Sequence, residues 1–203
     1  MNLSNEYHEI TQGLLAWNAG DEDAFNRLLP LIYDELHGLA NAKIRQQPGA
    51  VTLQPTALVN EFYLRFLDSQ AAINKPEWEN RTHFFAVAAT VMRRILVDQW
   101  RRKKAESRGG GLVDITLDEV MAQDMQAQVL DVLVLDQALT RLEKLDPVQA
   151  RIVELRFFAG LTFVEVADVL TITDRSVKRK WTAARLWLLR DLKRGQDDAR
   201  ATP

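Results

Sequence analysis

Arg175, Lys178, Arg179 and Thr182 recur at helical spacing on one side of a single segment, and the chemistry they offer is hydrogen bonding to a polyanion. Guanidinium and ammonium groups donate to phosphate oxygens and to the edges of bases. A second basic cluster holds Arg93, Arg94, Arg101, Arg102, Lys103 and Lys104. Residues 93–108 carry seven bases against two acids, and residues 175–194 carry eight against one. The formal net charge is nevertheless −2, because residues 1–79 hold eleven acids against five bases and residues 112–146 hold eight against two. Charge is segregated along the chain, and two basic blocks imply two contacts with a polyanion.

The residue types that catalysis needs do not converge. His8, His37 and His83 are far apart and none stands at metal-ligand spacing from a carboxylate. No cysteine is present, so neither a disulfide framework nor a thiolate metal site can form. Gly109-Gly110-Gly111 lacks the following Lys-Ser/Thr and the adjoining strand of a phosphate-binding loop, and reads as linker. Asp34-Glu35 reads as solvated helix surface. The expectation is a protein that is not an enzyme and holds no metal and no cofactor. The N-terminus has no signal-peptide pattern and no apolar run is long enough to span a bilayer, so a soluble, cytoplasmic chain is expected, with no membrane partner.

Helices must position the basic groups, and the second block has the clearest helix boundaries. Asp146 before Pro147 reads as an N-cap followed by proline in the first turn, and Gly160 stands where a left-handed cap ends that helix. Thr162 with Glu165 forms a capping-box pattern that opens a second helix, flanked by Leu161 and Val166 as a hydrophobic staple. Thr171-Ile172-Thr173 breaks it, and Thr173 caps a third helix. On that helix Val177, Trp181, Ala184 and Leu188 fall within roughly 60° of one another, opposite Arg175, Lys178, Arg179 and Thr182. Two helices joined by a short turn, the second basic near its N-terminus, form a helix-turn-helix suited to a major groove. A solvated cationic helix in an ordinary bundle has the same basic face but gives no reason for the short turn between capped helices.

Upstream, Tyr7, Ile10, Leu14 and Trp17 make a helical stripe ending at Gly20, and Asp21 caps a helix through Phe25, Leu28, Ile32 and Leu36. Pro30 inside it either kinks that helix or shifts its start. Pro55 suits the first position of a third helix, whose core face holds Leu58, Phe62 and Phe66 and whose far face shows Thr56 and Asn60. A loop over residues 68–80 leads to a long helix from about Thr82 to about Lys104, apolar in its first half and cationic in its second. After the glycines, residues 112–129 show no convincing period. The fold class expected is all-α: two small helical domains joined by a flexible acidic linker.

The segments "TLQPTALVNEFYLRF" (52–66), "HFFAVAATVMRRILVDQWRRKK" (83–104), "RGGG" (108–111) and "LDPVQARIVELRFFAGLT" (145–162) together resemble bacterial RNA polymerase sigma factors of the extracytoplasmic-function group. The likeness covers nearly the whole chain and points to a subgroup associated with Ser/Thr kinases. It implies a sigma-2 domain over 1–108, a linker over 109–130, a sigma-4 domain over 131–195 and a tail over 196–203. Sigma-2 would dock on the clamp helices of the beta-prime subunit of the polymerase core and would melt and read the −10 element of promoter DNA. Sigma-4 would read the −35 element and contact the flap of the beta subunit. Carried onto this sequence, −35 reading falls to Arg175, Ser176, Lys178 and Arg179, with Thr182 and Arg185 near the DNA backbone. Reading of −10 falls to Trp78, Asn80, Arg81, Arg93, Arg94, Gln99, Arg101 and Arg102. Trp78, Asn80 and Arg81 have the groups to build a pocket for an extruded base, although Trp78 fits a packed core equally well. A stand-alone helix-turn-helix regulator is the competing reading, and it leaves the first basic helix without a use.

Most sigma factors of this group carry a run of acids at the start of the segment matching Pro55–Arg65, where Thr56, Asn60, Glu61 and Arg65 would face the core enzyme. Here only Glu61 is acidic. Phosphorylation of Thr56, or of Thr52, by a Ser/Thr kinase would restore the missing charge. A phosphate brings about −1.5 to −2, and a helix N-terminus favours anions.

Overall fold

The computed structural model describes residues 3–45, 55–72, 77–106 and 132–201. These residues form eight α-helices and no strand: α1 Leu3–Asn18, α2 Glu22–Arg45, α3 Pro55–Ala72, α4 Arg81–Glu106, α5 Val132–Leu145, α6 Pro147–Phe158, α7 Phe163–Leu170 and α8 Asp174–Ala201. Packing divides the chain into two units, residues 1–95 and 96–203, and the division falls inside α4. The glycines at 109–111 and the expected linker lie outside the described residues.

In the first unit, α1 ends where Gly20 adopts φ +97°, a conformation that glycine enters without steric cost. Asp21 then caps α2, its Oδ1 accepting from the Ala24 N–H at 3.0 Å. Pro30 lies within α2, which neither starts nor stops there. α1 and α2 approach closely at Gly13, where an added Cβ would stand 2.4 Å from a methyl of Leu28. α3 packs against α2, and the Tyr63 hydroxyl donates to the Leu29 carbonyl at 3.2 Å. Phe66 sits amid the aromatic core, its ring 5.5 Å from Phe62, 5.8 Å from Trp78 and 5.3 Å from Phe84. α3 reaches Ala72, so the expected loop at 68–80 starts later than the sequence suggests.

The second unit packs α6 against α5 and α8, and α7 against α8. Each expected boundary has its chemistry in place. Asp146 accepts from the Gln149 N–H at 3.0 Å and Pro147 follows it. Gly160 has φ +66°. Thr162 and Glu165 exchange both bonds of a capping box, and Thr173 accepts from the Ser176 N–H at 3.2 Å. Thr171 closes α7 at φ 53°, a left-handed conformation that a β-branched residue rarely adopts. α8 continues to Ala201, past the tail expected from 196, because nothing between Gln196 and Ala201 breaks a helix.

Candidate nucleic-acid interface

α8 separates a packing face from a solvent face. Val177 and Ala184 are fully buried, and Trp181, Leu188 and Leu192 nearly so. Arg175, Lys178, Arg179 and Thr182 are exposed, while Ser176 and Arg185 are half-exposed. The Thr182 hydroxyl bonds back to the Lys178 carbonyl at 3.0 Å. Lys178 pairs with Asp174 one turn earlier, Nζ to Oδ2 2.7 Å. The sixth side chain of the block, Lys180, points elsewhere: its Nζ lies 3.0 Å from Oδ2 of Asp146, the N-cap of α6.

Lys180 and Arg156 hold this helix through contacts that sequence pattern does not single out. Burial works against the charged form of Asp146, but the Gln149 N–H and the Lys180 ammonium outweigh it and hold its carboxyl below the usual value of 3.8. Arg156 at the end of α6 donates to the Leu161 carbonyl at 2.9 Å, and its guanidinium covers the rings of Phe163 at 4.0 Å and Trp181 at 5.3 Å. One side chain thereby touches the α6–α7 turn, α7 and α8. The available signal was an arginine in an apolar helix just before a glycine turn.

In the first unit the residues expected to take up an extruded base are divided between core and surface. Trp78 is 1% exposed, set between Phe66 and Phe84, and offers no face for stacking. Arg81 is 8% exposed; it forms a two-point pair with Glu35, at 2.9 and 2.6 Å, and its guanidinium lies over the rings of Tyr7 and Phe85. The expected pocket of Trp78, Asn80 and Arg81 is therefore corrected: an indole finds more apolar contact in the aromatic core, and a buried guanidinium requires its carboxylate partner. Asn80 is exposed and caps α4, accepting from the His83 N–H at 2.8 Å.

Along α4, Arg94, Arg101 and Arg102 are exposed and Arg93 and Gln99 half-exposed. The Arg101 guanidinium comes within 3.7 Å of the Asp136 carboxylate yet stays largely open to solvent. On α3, Thr56, Ala57, Asn60 and Leu64 are exposed. Glu61 is bound to Arg65 at 2.8 Å, so the single acid of that face is neutralised by its own helix. Thr52 lies outside the described residues.

The model of the ECF sigma factor family matches residues 7–194. This chain belongs to the ECF sigma factor family. Proteins of this family bind RNA polymerase core and promoter DNA and act in transcription initiation, without catalysis of their own. The sigma factor is similar, at 18% identity, to the sigma factor RpoE solved in complex with the anti-sigma factor NepR from Bartonella quintana. That similarity covers 84% of this chain and 98% of that one, with a TM-score of 0.38. A search of curated proteins finds no match. Among the described residues, no helix of the sigma factor is long and apolar enough to cross a membrane.

Proposed function

We propose that this sigma factor reads its promoter at two places, the −35 element with α8 and the −10 element with the segment around Asn80 and the exposed arginines of α4. The functional division is 1–108 for docking and −10 melting, 109–130 as linker and 131–195 for −35 reading, with the last turns of α8 continuing beyond it to Ala201. The observation that carries this reading is the separation of faces on α8, which leaves Arg175, Lys178 and Arg179 exposed while the other side packs. Ser176 sits on the same first turn, and Thr182 and Arg185 lie further along, where they meet the DNA backbone. Arg93, Arg94, Gln99, Arg101 and Arg102 track the other strand segment. The beta flap is the partner of the second unit and the beta-prime clamp helices are the partner of α3. The expected result of run-off transcription with core enzyme and the full chain is specific initiation. A stand-alone regulator would give no transcript until another sigma factor is added.

Docking through α3 is proposed to depend on Thr56. The face formed by Thr56, Asn60, Glu61 and Arg65 has no net charge, which is supported by the Glu61–Arg65 pair. Thr56 is exposed at the second position of its helix, where the positive end of the helix dipole favours a phosphate. Phosphorylation by a Ser/Thr kinase supplies the charge that docking lacks. Core binding is compared for the wild type, Thr56→Ala and Thr56→Glu, with and without kinase treatment. Tighter binding by Thr56→Glu and by the phosphorylated wild type supports the switch, and equal binding throughout removes it. If Thr52 is the acceptor, Thr56→Ala still responds to the kinase.

A further inference from the structure

Residues 78 and 81 are both held by the first helix, and the two residues between them are exposed. The side-chain amide of Asn18 engages both backbone groups of Trp78, donating from Nδ2 to the carbonyl at 2.7 Å and accepting the N–H on Oδ1 at 3.1 Å. Three residues on, the Arg81 N–H donates to Oγ1 of Thr11 at 3.2 Å, and that hydroxyl is itself oriented by donating to the Tyr7 carbonyl at 3.0 Å. The Tyr7 ring lies 3.8 Å from the Arg81 guanidinium, and the Glu35 carboxylate of α2 pairs with its Nε and Nη2 groups. Trp78 is 1% exposed and Arg81 8% exposed, so both anchors are sunk in the fold. Glu79 and Asn80 stand in solvent between them. The Glu79 N–H is occupied by Nδ1 of His83 at 3.4 Å, and Asn80 by the N-terminus of α4.

A two-residue bridge fixed at both ends presents its side chains in one geometry, which a reader of an unpaired base requires and a mobile loop does not supply. We propose that α1 is the frame of the −10 reader: Asn18 and Thr11 are positioning residues that hold Glu79 and Asn80 in place to hydrogen-bond an extruded base. A carboxylate and an amide side by side accept from and donate to the Watson–Crick edge of such a base, and neither needs an aromatic platform. The frame takes over the place of the stacking pocket that Trp78 and Arg81 do not form. It rests on the reading of this segment as the −10 contact.

The test uses holoenzyme reconstituted from the full chain and core enzyme. The probe is fork-junction DNA built on a start site mapped for this factor, with each unpaired −10 base varied in turn. Wild type should discriminate among bases, and Asn80→Asp, which keeps the capping oxygen but loses the amide donor, should change which base is preferred. Wild type without discrimination overturns the −10 reading itself. Given discrimination, Asn18→Ala should reduce the preference for the best base by roughly tenfold, the loss of about two hydrogen bonds' worth of positioning. Its melting temperature should fall with the two lost bonds, while its core binding and affinity for −35 duplex remain near wild type at temperatures where it is folded. Thr11→Val, which removes the acceptor of Arg81 and nearly keeps the volume, should flatten the preference in the same way. It carries the test if Asn18→Ala does not fold. Wild-type discrimination in a folded Asn18→Ala or Thr11→Val holoenzyme overturns the frame while leaving the −10 reading intact.

Discussion

Lys180 and Arg179 are neighbours in sequence and opposite in use. Arg179 is exposed on the solvent face of α8, whereas Lys180 is paired with Asp146 at 3.0 Å. Arg179→Ala is expected to cost roughly 1–3 kcal/mol of promoter binding and to relax specificity at one position. Lys180→Ala should leave the base preference unchanged and appear in thermal denaturation instead; a titration of each variant on matched and mismatched promoter duplexes separates the two. Asp146 itself contributes a pH dependence. Its folded carboxyl titrates below 3.8, so its stabilisation is complete above that value and is lost as pH falls through the lower folded value. Asp146→Asn keeps the capping oxygen and loses the charge. Urea denaturation across the acid range should show the wild-type advantage over this variant closing as pH drops below about 4.

At the scale of helices, the close approach of α1 and α2 gives a test by sign. Gly13→Ala should stabilise a helix by about 1 kcal/mol on propensity alone. Here the new methyl meets the buried side chain of Leu28, with two of its carbons within 2.6 Å, and overpacking costs about 1–3 kcal/mol. A lowered urea midpoint is therefore expected. Thr171→Gly should move the other way, by about 1 kcal/mol, because glycine adopts the left-handed cap of α7 without the penalty a β-branched residue bears. A calorimetric scan of the two variants against wild type reads both signs. The second unit was nearly all legible in the sequence, since Asp146, Gly160, Thr162 with Glu165, and Thr173 act on groups within four residues of themselves. The first unit was less so. Whether Trp78 faced the core or a base depended on Phe66 and Phe84, and the Asn18 clamp joins positions 60 residues apart. No local pattern records such a contact. Pro30 was undecidable for the same reason: α2 continues through it as one long element packed on both α1 and α3.

For the whole molecule, a net charge of −2 coexists with two basic blocks, so association with promoter DNA should depend on salt far more steeply than overall charge suggests. Each phosphate contact adds about −0.9 to the slope of log K against log salt. Replacing both Arg101 and Arg102 by alanine should reduce the magnitude of the holoenzyme's slope by about 2 if both contact phosphate, measured by promoter binding over a salt series. The partition of α8 has a wider outcome. None of the buried contacts that seat the helix, through Val177, Trp181, Ala184, Leu188 and Leu192, uses a side chain of the exposed basic face; Lys178 pairs with Asp174 on its own helix and reaches the ring of Phe163 on α7 only at 6.0 Å. Substitutions at 175, 179 and 182 then leave the buried seat of the helix untouched, so new promoter preferences can accumulate one residue at a time in a helix whose seating stays the same.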